Sequence, residues 1–152
     1  NGIYISEAGP KEIKIIRSEV LSVVKQIKNT IKVTIDRFSL NFSDCFVIGF
    51  SQGGIMTFEL GRYLENQLAG LAIISGRIME TNDTENVDFL NTPLFISHGD
   101  SDDVLPVKYF YKSCEFLAKN KFNFENYLLK GTNHTISSET IDLLQKFIKK
   151  NL

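Results

Sequence analysis

The stretch FVIGFSQGGIMTFELG, Phe46 to Gly61, constrains the fold more than any other part of this chain. It begins as an unbroken apolar run, which a strand buried on both faces of a parallel sheet requires. Its second half reads as a helix, and a serine flanked by glycines stands at the join. A chain that turns sharply from strand to helix holds the residue at the turn in a strained conformation, and its neighbours must lack bulk. Gly49 and Gly53, two positions either side of Ser51, meet that condition. Gly49-Phe50-Ser51-Gln52-Gly53 thus has the G-x-S-x-G form of a nucleophile elbow. Such a turn lifts a serine hydroxyl clear of the sheet and aims the helix N-terminus and the Gln52 amide at negative charge forming beside it. The same five letters also suit an anion-binding turn or simple tight packing.

The rest of the chain supplies a setting for that turn. Ile13, Ile16, Val20, Val24, Ile27 and Ile31 recur at helical spacing with Lys and Glu between them, and Pro10 lies just upstream, so an amphipathic helix precedes the elbow. After the polar pair Ser43-Asp44, residues 45–50 form the first strand and Gln52 to Leu64 the next helix. Leu71 to Ser75, Pro93 to Ser97 and Asn123 to Leu129 read as three further strands. Pro106 to Lys119 and Ser137 to Lys150 read as helices. Between Gly76 and Thr92 the run Thr81 to Asn86 is polar, which predicts an irregular surface excursion with a short helix near Val87 to Leu90. Strands alternating with helices predict one α/β domain over residues 1–152, a mostly parallel sheet of about four strands with helices on both faces.

Composition excludes several functions. A net charge of −1 gives no bulk attraction to nucleic acid, and the Lys146, Lys149, Lys150 tail reads as a solvated helix face. Cys45 and Cys114 are too few for a disulfide framework or zinc cluster, and both sit in apolar or helical patterns as small hydrophobes. No run approaches the length of a membrane span, and Asn1 begins no signal-like sequence. The expectation is a cytoplasmic protein in a reducing compartment.

An unassisted serine hydroxyl is a poor nucleophile, so a catalytic reading needs a base and an orienting carboxylate. Both lie downstream. The third strand runs into His98-Gly99-Asp100-Ser101-Asp102-Asp103, and the fourth into Lys130-Gly131-Thr132-Asn133-His134. These loops emerge at the carboxyl edge of the sheet, where Ser51 also lies and where ligands of open parallel sheets gather. A lone histidine is more often structural than catalytic. One that follows a strand and precedes a helix, in the order serine, acid, histidine, favours a base.

Gly49-Phe50-Ser51-Gln52-Gly53-Gly54, His98-Gly99-Asp100-Ser101-Asp102 running to Pro106, and Gly131-Thr132-Asn133-His134 together resemble the phospholipase/carboxylesterase branch of the α/β-hydrolases, which includes the acyl-protein thioesterases. The resemblance runs from about Pro10 to the C-terminus. It implies a Ser51, Asp102, His134 triad that hydrolyses carboxylic esters or thioesters through an acyl-enzyme, with no metal or organic cofactor. The resemblance selects Asp102 as the acid, because the family's acid stands four residues after the loop histidine and four before the proline. Asp100 and Asp103 are then turn or surface residues, and His98 is a structural partner for loop backbone.

The family pattern also places a His-Gly-rich loop well before the elbow, where it supplies a second oxyanion donor beside Gln52. No such loop precedes Ser51 in this sequence. The chain is therefore expected to be the C-terminal portion of the fold, truncated at its N-terminus, with Phe46, Val47 and Ile48 on an exposed edge that invites self-association. The alternative to an esterase is an inactive remnant that serves as an association module. Phe50, Met56, Ile78 and Met79 are candidate apolar lining for a substrate, with core packing the default for each.

Overall fold

A computed structural model describes residues 10–64, 67–80 and 87–152, apart from the side chains of residues 10–15, 17, 87 and 88. The N-terminal lead Asn1-Gly2-Ile3-Tyr4, the Ile13 side chain and the polar run Thr81 to Asn86 lie outside the described residues. Four strands, β1 (Phe46–Phe50), β2 (Gly70–Ile74), β3 (Leu94–Gly99) and β4 (Phe124–Leu129), form one sheet in the order β1-β2-β3-β4. All three pairings are parallel. The helices between and around them are α1 (Pro10–Phe38), α2 (Gln52–Tyr63), α3 (Val87–Asn91), α4 (Lys108–Lys119) and α5 (Ser138–Asn151).

The two-residue period of the strands sorts their side chains into two cores. Leu71, Ile73, Leu94 and Ile96 point to one face, where they meet Val20 and Val24 of α1, Phe58 of α2 and Leu117 of α4. Ala72, Ile74 and Phe95 point to the other face, against Phe147 of α5. β2 and β3 are buried throughout because helices cover both faces. The first core also holds an aromatic cluster in which the Phe58 ring lies 5.0 Å from Phe89 and 5.6 Å from Phe122. Inside it the Glu59 carboxylate is neutralised by Arg62 at 2.6 Å, since a buried charge left alone would be costly.

Several elements differ from their sequence readings. β3 runs on through His98 and Gly99, two residues past the expected end, because both pair with Leu128 and Leu129 of β4. Helix α4 starts at Lys108 rather than Pro106; the proline instead offers its carbonyl to Tyr109 N–H in the turn that leads in. β1 agrees with the expected exposed edge: among the described residues it pairs on one side alone, with Ile48 47% exposed and Phe46 and Val47 half-buried.

Candidate active site

Ser51 ends β1 and caps α2 with φ 56° and ψ −119°, a backbone state that costs a non-glycine residue on the order of 1–3 kcal/mol. Its N–H donates to the Ile74 carbonyl of β2 at 2.8 Å, and its carbonyl accepts from Gly54 and Ile55, so both sides of the turn are held. The glycines contribute unequally. A Cβ on Gly49 would lie 2.1 Å from the Gly53 carbonyl oxygen, which no L side chain tolerates. A Cβ on Gly53 would meet nothing among the described residues, so the expectation that Gly53 must also lack bulk is corrected. Gly54 takes that place, tight against the Gly49 carbonyl and Ile73.

The ends of β1, β3 and β4 bring three side chains together. His134 Nε2 lies 2.9 Å from Ser51 Oγ, and His134 Nδ1 lies 2.7 Å from Asp102 Oδ2. Asp102 is 7% exposed, and its other oxygen accepts from the Val104 and Leu105 N–H groups at 3.0 and 2.7 Å. Those bonds hold the carboxylate in place and leave Oδ2 to face the histidine. The Phe50 ring lies 4.9 Å from the His134 ring and so flanks the imidazole. Gln52 opens α2 immediately after Ser51, and its N–H is among the first-turn donors that have no acceptor within the helix. Three residues after His134, Ser137 Oγ accepts from Thr140 N–H at 3.1 Å, which fixes where α5 begins.

Other residues read from the sequence fall elsewhere. Asp103 is exposed. Ile78 and Met79 are 5% and 2% exposed and belong to the larger core, where Met56 also packs. Cys45 and Cys114 are half-buried free thiols, and burial pushes the Cys114 pKa to about 11, so it stays protonated near neutral pH. No helix among the described residues is long and apolar enough to cross a membrane.

His98 is fully buried. Its Nε2 donates to the Leu105 carbonyl at 2.8 Å and lies 3.3 Å from Asp102 Oδ2, so it closes the loop that carries the acid. Its Nδ1 has no partner. Burial holds its pKa below the ordinary value and His134 adds to this, although the Leu105 carbonyl and Asp102 act in the opposite direction. The unfolded chain therefore takes up the proton first. The contribution of neutral His98 to stability is complete above about pH 6.5 and is lost as pH falls through the folded value. Urea midpoints should accordingly drop as pH falls below about 6.5, and His98→Gln should flatten that slope. An unchanged slope in the variant would assign the dependence to other groups.

Sequence reasoning missed one contributor. Asp100, read as a turn or surface residue, accepts from Gly131 N–H at 2.7 Å and from Ser101 Oγ at 2.8 Å. Its own N–H donates to the Leu129 carbonyl, and Ser101 N–H donates to the Thr132 carbonyl. Gly99 permits this approach, because a Cβ there would lie 2.0 Å from the Thr132 oxygen. The acid loop and the histidine loop are thus clasped before either touches Ser51. Gly131, with a φ of 65°, forms the turn that the carboxylate holds. Asp100→Ala should lower turnover roughly tenfold to a hundredfold through misplacement of His134, with KM little changed. An unaltered kcat would mean that the clasp does not position the imidazole.

The chain was compared with known proteins at the level of family, sequence and fold. A model of the phospholipase/carboxylesterase family matches residues 5–152. Acyl-protein thioesterase 1 of Saccharomyces cerevisiae is 29% identical, with 97% of this chain and 67% of the relative covered. Acyl-protein thioesterase 1 homolog 1 of Dictyostelium discoideum is 28% identical over 94% of this chain and 61% of its own length. The crystal structure of Arabidopsis thaliana SOBER1 superposes with a TM-score of 0.81 at 26% identity, over 88% of this chain and 65% of that one. The chain thus spans roughly two thirds of the length of these relatives. The chain belongs to the phospholipase/carboxylesterase family of α/β-hydrolases.

Proposed function

We propose that this chain carries the nucleophile, base and acid of a serine hydrolase that cleaves carboxylic esters or thioesters. The observation that supports it most is the unbroken relay Ser51 Oγ, His134 Nε2, His134 Nδ1, Asp102 Oδ2, with contacts of 2.9 and 2.7 Å. In this reading Ser51 attacks the acyl carbonyl while His134 accepts its proton. Asp102 fixes the imidazole tautomer and stabilises the imidazolium. His134 then protonates the leaving alcohol or thiol. Water, deprotonated by the same imidazole, releases the acid from the acyl-enzyme. The Gln52 N–H serves as one oxyanion donor. A fluorophosphonate probe should label Ser51, and labelling that survives Ser51→Ala would overturn the assignment.

A second reading, an association module without turnover, draws on β1. The described residues offer no His-Gly loop before the elbow, and the only histidines in the chain are His98 and His134. Loss of one oxyanion donor from an intact site costs about 10²- to 10³-fold in turnover. Ile48 and the edge of β1 that is unpaired among the described residues form a template for strand pairing. Sedimentation of the 152-residue chain should therefore find self-association that Ile48→Lys weakens. A monomer at high concentration with ordinary turnover of p-nitrophenyl esters would exclude the second reading.

A further inference from the structure

A cavity of about 240 Å³ opens between the segment that follows β2 and the first turns of α4. Its place in the fold is the carboxyl edge of the sheet. Ser51 N–H is bonded to the Ile74 carbonyl at the end of β2, and Gly76 lies against Gly54 in the first turn of α2. The cavity segment leaves the sheet immediately beyond Gly76, and Ile78 N–H donates to Ser113 Oγ of α4 at 3.0 Å. Ile78 and Met79 back the cavity from the core, which leaves its chemistry to the charged residues.

Those residues are unbalanced. Among the described residues, Arg77, Lys108 and Lys112 line the cavity with one carboxylate, that of Glu80. The Arg77 guanidinium carbon lies 5.0 Å from the centre of the Tyr109 ring, and Lys108 Nζ lies 5.1 Å from the same ring. Two cations on one ring repel each other while each is attracted to it. Arg77 also hydrogen-bonds to Tyr109, but its Nε is buried with no hydrogen-bond partner among the described residues. Arg62, in the same core, has a carboxylate partner in Glu59 at 2.6 Å. Burial lowers the Arg77 pKa, with Tyr109 and Glu80 acting against it, yet a guanidinium remains charged near neutral pH. A half-buried cation with an unmet N–H is a feature that native folds rarely keep without a partner. A neutral acyl chain would leave all three cations unmatched.

We propose that this cavity is an anion subsite that receives a carboxylate or phosphate carried by the substrate. Arg77 is its anchor, and Lys108 and Lys112 complete it. The proposal deepens the hydrolase reading of Ser51 and rests on it for the substrate role. An anionic group satisfies Arg77 Nε, whose planar donors match an oxyanion, and it relieves the repulsion around Tyr109.

The test has a binding arm and a turnover arm. Inorganic phosphate and glutarate, titrated in turn into Ser51→Ala chain and followed by amide NMR, should give saturable shifts around Arg77 to Glu80 and Lys108 to Lys112. Arg77→Gln should weaken that binding about tenfold or more, and Lys108→Gln combined with Lys112→Gln, both on an exposed helix face, should weaken it independently. Absence of saturable binding, or equal binding by these variants, overturns the subsite. In the turnover arm, mono-p-nitrophenyl esters of dicarboxylic acids are compared with neutral p-nitrophenyl esters of equal length. The charged series should be favoured about tenfold in kcat/KM, and Arg77→Gln should bring the ratio close to one. A chain that turns over neutral esters without preferring charged ones overturns the substrate role. A chain that hydrolyses neither series yet binds both anions at Arg77 supports the subsite and refutes the hydrolase reading alone.

Discussion

Ser51→Ala and His134→Ala should each lower ester turnover by roughly 10⁴-fold or more, and the double variant should be scarcely worse than either. The reason is the geometry of one shared bond. His134 Nε2 is 2.9 Å from Ser51 Oγ, so without the imidazole the hydroxyl keeps its proton, and without the hydroxyl the imidazole has nothing to activate. His98→Ala is the control. That ring is buried 3.3 Å from Asp102, but its Nε2 proton is committed to the Leu105 carbonyl, so its loss should act through loop placement and be much smaller. Initial rates with p-nitrophenyl acetate, with circular dichroism to verify folding, make the measurement. Equal losses for the two histidines in folded protein would reverse the roles assigned to them.

Asp102→Asn should lower turnover about 10⁴-fold while leaving the fold intact. The amide keeps the size of the carboxylate, and its oxygen can still accept from the Val104 and Leu105 N–H groups. Its nitrogen would then face His134 Nδ1 at the 2.7 Å contact and select the imidazole tautomer that presents a proton, rather than a lone pair, to Ser51. Asp103→Asn should be mild, because Asp103 is exposed while Asp102 is buried. A ranking in which Asp103→Asn is the more damaging would move the acid by one position.

The turn at Ser51 and the strand ends that carry Asp102 and His134 were legible because they leave local marks, whereas the choice of Asp102 among its acidic neighbours came from the family resemblance. A strained serine needs Gly49, and an acid and a base that must meet it need strand ends, which apolar runs announce. The order serine, acid, histidine followed from the same runs. The clasp at Asp100 was not legible, because its partner is 31 residues away and its own composition is that of any polar turn. Nor did periodicity distinguish β1 from a central strand, since an apolar run is identical whether a neighbour is present or absent.

The amino-acid sequence by itself determined the alternation of strands and helices, the strand-to-helix turn at Ser51 and the family resemblance. Each depends on residues within a few positions of one another, where hydrophobic period and backbone sterics act directly. Only the tertiary structure decided which glycine is indispensable beside Ser51, that Asp100 joins two loops and that Arg77, Lys108 and Lys112 line one cavity. Those are properties of approach between segments distant in sequence, set by how sheet and helices close on their two cores.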